Sequence, residues 1–136
     1  MSASLEPYPD YSGPLDVSGS KVAIAIRGKG DMKFMYNLEG TESDCVDCGI
    51  HIHSGVSCEV ADNVGGHFWD LNLTPVDMWT PTGGAVYNSD SDGKAKGSFE
   101  IQNGFKYTYN KGVVVIHKQD GERIGCGILS KSKKSC

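Results

Sequence analysis

Apolar and polar residues alternate along this chain in short runs separated by turn residues, and no stretch keeps a helical period. Lys21-Val22-Ala23-Ile24-Ala25-Ile26-Arg27 reads as a strand. Gly28-Lys29-Gly30-Asp31 is a turn, and from Met32 to Leu38 the side chains Met32, Phe34, Tyr36 and Leu38 alternate with Lys33, Met35 and Asn37. Together they predict a hairpin. Val46 to His53 predicts a further strand. Gly84 to Ser89 predicts a short one, with Ala95 to Ile101 pairing back on it across the Ser89-Asp90-Ser91-Asp92-Gly93 turn. Gly112 to Lys118 and Arg123 to Leu129 flank the tight Gln119-Asp120-Gly121-Glu122 connection. About eight short strands with regular turn signals predict an all-β sandwich or barrel.

From Ser54 to about Gly84 the chain is Gly-rich and polar, and it holds both tryptophans. Loops of that length in a compact domain usually serve function. Residues 1–14, with Pro7, Pro9 and Pro14, read as a lead-in, residues 15–130 as the domain and residues 131–136 as a basic tail. There is no internal repeat and no second domain.

A chain of 136 residues is long enough for one core. The net charge of −4 gives no electrostatic case for nucleic acid, and no run of 18 apolar residues predicts a membrane span. The first residues lack the basic and apolar regions of a signal peptide. Five cysteines are nevertheless many for a chain kept reduced. The two facts agree if this is a mature or excised domain. Asn72-Leu73-Thr74 is a glycosylation sequon, weakened by the Pro75 that follows it.

The chemistry sits in the histidines. There are four, and three fall in Gly49-Ile50-His51-Ile52-His53-Ser54-Gly55 and Gly65-Gly66-His67-Phe68-Trp69. The fourth, His117, ends the apolar run Gly112-Val113-Val114-Val115-Ile116-His117. Residues two apart on a strand share a face, so His51 and His53 project together, about 7 Å apart along the strand. Two imidazoles so placed can share a metal ion. A third from the Gly-rich loop and a fourth from another strand would complete an all-nitrogen site, which suits copper, zinc, iron or nickel.

The same pieces, followed by Asp90-Ser91-Asp92-Gly93 and Asp120-Gly121-Glu122-Arg123-Ile124-Gly125-Cys126-Gly127-Ile128-Leu129, resemble the copper/zinc superoxide dismutase family, in the family's order and over most of residues 20–130. The resemblance implies an eight-stranded Greek-key β-barrel, copper on His51, His53, His67 and His117, and an arginine beside the metal at Arg123. It further implies that His67 leaves copper on reduction, takes a proton and returns it to the peroxide product. Cys58 and Cys126 match the family's disulfide. The departures point to the copper-only branch. The family's zinc-binding positions fall near Leu71, Thr80 and Gly83, none of which can bind zinc. Only five residues separate His117 from Arg123, where the family carries a long electrostatic loop. The wording is most similar to the copper-only superoxide dismutase repeat proteins, extracellular chains of tandem domains.

The expectation is therefore a copper-only superoxide dismutase domain, with one copper per chain and no zinc. It would act as a monomer or as one unit of a tandem-repeat protein, with His67 and Arg123 catalytic. The alternative is a copper-binding or structural repeat module without turnover. With zinc absent, His67 needs another partner for its second nitrogen, and Asp70 and Asp77 are both candidates. Cys45, Cys48 and Cys136 remain, and whether two of them bridge is left open.

Overall fold

The computed structural model describes residues 1–73, 75–105 and 111–131. Among these, nine strands follow one another: β1 (Ser2–Ser4), β2 (Glu6–Pro7), β3 (Lys21–Ile26), β4 (Asp31–Leu38), β5 (Cys48–His53), β6 (Val86–Tyr87), β7 (Ala95–Gln102), β8 (Val113–His117) and β9 (Arg123–Ile128). They form two antiparallel sheets, ordered β1-β3-β4-β7 and β2-β9-β8-β5-β6. The architecture is an all-β sandwich.

Period-two alternation explains the packing. Val22 and Ile24 of β3 and Met32, Phe34 and Leu38 of β4 point inward. They meet Ile50 and Ile52 of β5, Val114 and Ile116 of β8, and Ile124 of β9, all buried. Each such side chain contributes about 1.5–3 kcal/mol on burial. The unbroken apolar run of β8 has a second cause. Val113 and Val115 face away from the sandwich interior, into a separate cluster with Tyr8, Cys58, Val64 and Cys126. The long loop after β5 covers that outer face, so β8 is buried on both sides.

The hairpin of β3 and β4 forms as the sequence predicts, with Ile24 opposite Phe34. Two expectations are corrected. Residues 1–14 are not a lead-in outside the domain. β1 pairs with β3, β2 pairs with β9, and Ala3, Leu5 and Tyr8 are buried. The segment passes from one sheet to the other at Leu5, and Pro7 is tolerated because β2 is an edge strand. The second correction concerns β7, which pairs with β4 over the full register from Asp31↔Gln102 to Leu38↔Ala95, not with β6. The two-residue β6 pairs instead with the start of β5. An eight-residue partner offers far more ladder than a two-residue one, so the chain crosses between sheets at the Asp90–Gly93 turn. Of the basic tail, only Lys131 lies among the described residues.

Two disulfides are present. Cys58–Cys126 ties the long loop to β9 across 68 residues, and Cys45–Cys48 closes the turn that enters β5. Cys136 lies outside the described residues. A pair of disulfides fits an oxidising compartment, and among the described residues no helix is long and apolar enough to cross a membrane. Closing the 68-residue loop constrains the unfolded chain. Replacing Cys58 and Cys126 together by serine is expected to lower the unfolding free energy by about 2–5 kcal/mol, as read from a denaturant titration.

Candidate metal centre

Parity places the imidazoles. On β5, Ile50 and Ile52 take the core face, which forces His51 and His53 onto the outer face. The register then aligns His51 with Val115 and His53 with Val113, the outward residues of β8. His117 shares their parity and joins the same face from the end of β8. One ligand atom from each of His51, His53 and His117 lies within 4.8 Å of the others. Ring centroids are 4.7 Å apart for His51 and His117, and 6.1 Å for His51 and His53.

Backbone carbonyls fix which nitrogen faces the cluster. His53 Nδ1–H donates to the Gly65 carbonyl at 2.8 Å, and His117 Nδ1–H donates to the Gly121 carbonyl at 2.9 Å. A carbonyl only accepts, so each ring is protonated at Nδ1 and carries its lone pair at Nε2. Among the described residues, the buried side-chain nitrogens and oxygens without a hydrogen-bond partner are His51 Nδ1, His53 Nε2 and His117 Nε2. Each of these rings supplies one ligand atom to the cluster. The donor set fits a metal ion, and these three histidines are placed to bind one.

Charge agrees. Burial pushes His51 down to about 2, helped by the positive charge that His117, His67, His53 and Arg123 would present. Burial also pushes His53 down to about 4, against the pull of the Gly65 carbonyl. His117 is lowered by burial in the same way. All three are neutral at neutral pH, the form that binds metals.

His67 adjoins this group from the returning arm of the long loop. It forms a single antiparallel bridge with His53, and its ring centroid is 4.4 Å from that of His51 and 5.0 Å from that of His53. Gly65 makes the approach possible. Its φ is +75°, and a Cβ there would lie 2.6 Å from Ser54 Oγ. Of the two candidate carboxylates, Asp77 is the partner of His67, with Nδ1 to Oδ2 at 2.6 Å. Asp70 instead accepts from the Asn72 backbone N–H and stabilises a local turn. Asp77 is itself held, because its Oδ1 accepts from the Trp79 N–H at 2.8 Å. The buried Trp79 ring stacks edgewise on His51 at 6.4 Å and donates from Nε1 to the Phe68 carbonyl.

Arg123 opens β9 directly opposite His117, at a bulge in the ladder. Its Nη1 donates to the Tyr8 hydroxyl at 2.9 Å. Sequence reasoning missed Tyr8, Trp79 and Tyr87, whose hydroxyl donates to the His117 carbonyl at 2.5 Å. It also missed the role of Gly49, although the alternation carried that signal. Gly49 lies two residues before His51 on the same face, so any side chain there points at the ring. No protein-family model matches this chain, and no curated protein matches it.

A Cβ on Gly49 would lie 2.7 Å from His51 Cε1 and 3.2 Å from His117 Cδ2, whereas one on Gly66 would meet nothing within 4 Å. Gly49→Ala is expected to weaken divalent-metal binding by about 10–100-fold, the range for losing a group that orients a ligand. Gly66→Ala is expected to leave it unchanged. Competition with a chromophoric chelator measures both.

Proposed function

We propose that this chain is a copper-only superoxide dismutase domain. It would convert two superoxide anions and two protons into O2 and hydrogen peroxide. The observation that carries the reading is the set of three buried imidazole nitrogens without partners, gathered within 4.8 Å. The order of motifs that resembles the copper/zinc superoxide dismutase family supports it. In this reading His51, His53 and His117 hold copper, with His67 as the fourth imidazole. Copper, when bound, supplies the one-electron redox couple that disproportionation needs.

The remaining work falls to the chain. Asp77 on His67 Nδ1 fixes that ring and leaves Nε2 as the nitrogen that would take up and release a proton. The resemblance implies zinc on that Nδ1 in the zinc-containing members, and a carboxylate holding it here supports a site that works without zinc. Arg123 offers a charge that persists at any physiological pH, with N–H donors for a small anion. With a net charge of −4 and a short turn between His117 and Arg123, attraction of the anion is local to the site. The two disulfides support an extracellular setting, with the domain acting alone or as one unit of a tandem array.

The test is metal analysis beside a superoxide-decay assay. One copper per chain, no retained zinc and rapid decay of superoxide are expected. Arg123→Ala should slow the reaction by about tenfold at equal copper content, because one charge near the anion is lost. His117→Ala should instead lose copper. Copper bound without turnover would leave a binding or structural module. Failure to bind copper would remove the dismutase and copper-binding readings and leave only a structural module.

A further inference from the structure

The chain has two arginines, and their surroundings differ. Arg27 pairs with the Glu100 carboxylate at 2.9 Å on an exposed face of the other sheet, where the two charges offset each other. Arg123 is half-buried and is held by a neutral group. Its Nη1–H donates to the Tyr8 hydroxyl at 2.9 Å, and its guanidinium carbon lies 5.6 Å from the centre of the Tyr8 ring. A phenol oxygen accepts the hydrogen bond and the ring face attracts the cation, yet neither cancels the charge.

Tyr8 is itself fixed. Its backbone N–H donates to the Ile124 carbonyl, one residue past Arg123, and its carbonyl accepts from the Tyr11 N–H. Tyr8 is buried and packs with Cys58, Val113, Val115 and Cys126 on the outer face that carries the histidines. Arginine has a long side chain with much rotamer entropy to lose. A half-buried arginine at the head of a strand has no reason to keep one orientation unless something holds it.

We propose that Tyr8 is a positioning residue: it holds the Arg123 guanidinium at the edge of the three-histidine cluster with its charge intact, and so sets the affinity of the site for small anions. This rests on the reading of Arg123 as the anion partner. One N–H of the guanidinium is committed to Tyr8, and among the described residues the others have no hydrogen-bond partner and are left to meet an anion. The N-terminal segment thereby belongs to the working site as well as to the sheets.

Tyr8→Phe tests it, because the substitution keeps the ring and its packing and removes only the acceptor. Azide is the probe. In the copper-loaded protein, azide affinity read from the visible absorption change should fall by about tenfold. Copper content and melting temperature should stay at the parent's values. In an Arg123→Ala background the same substitution should change nothing. Equal azide affinity in parent and Tyr8→Phe overturns the proposal, as does an equal loss with and without Arg123. If the parent takes up no copper, the dismutase reading fails separately, and the metal-free protein decides the role of Tyr8. There the Arg123 side-chain N–H signals in a nitrogen-15 spectrum should shift in Tyr8→Phe and respond more weakly to azide. Signals and responses identical to the parent's overturn the proposal.

Discussion

A buried imidazole nitrogen without a partner costs about 1–3 kcal/mol, and this fold buries three of them against one another. Folded chains keep few such groups, and those that persist have a reason. Here the surroundings reinforce the cost. Carbonyls of Gly65 and Gly121 take the Nδ1–H of His53 and His117, so the lone pairs point into the cluster. Burial keeps the rings neutral, which rules out relief by protonation at neutral pH. Metal coordination relieves all three nitrogens at once.

The rest of the molecule follows from carrying that cluster. A five-stranded sheet that presents histidines on its outer face cannot leave the face open and still keep them buried. The long loop after β5 supplies the cover, and the Cys58–Cys126 bridge anchors it to β9. The same loop returns along β5 to deliver His67, oriented by Asp77 and backed by Trp79. Cover and chemistry thus come from one segment, which explains why so long a stretch between β5 and β6 carries so little regular structure.

How much of this could be read beforehand depended on the range of the interactions. The facing of His51 and His53 is a matter of strand parity, a local property, and it is as plain in Gly49-Ile50-His51-Ile52-His53 as in the folded chain. His117 was legible because it ends an apolar run, and the Cys58–Cys126 pairing because it accompanied a motif resemblance. The choice of Asp77 over Asp70 was not legible, since both lie in an irregular loop whose path depends on the burial of Trp79. Tyr8 was hidden because Pro7 and Pro9 make its segment look unstructured, and its partner Arg123 is 115 residues away in the chain. The pairing of β7 was misjudged for a related reason. Adjacent strands usually pair, but a ladder running from Asp31 to Leu38 on β4 outweighed the nearby two-residue β6.

If the three orphaned nitrogens form a metal site of high affinity, thermal unfolding of the metal-free protein with and without one equivalent of Cu(II) will reveal it. Binding confined to the folded state at a thousand times the dissociation constant stabilises it by about 4 kcal/mol, which for a chain of this size raises the midpoint by roughly 10 °C or more. Such a rise is expected, and it should be lost when His51, His53 or His117 is replaced by alanine. A midpoint that copper leaves unmoved, or a rise that survives removal of these histidines, would contradict it.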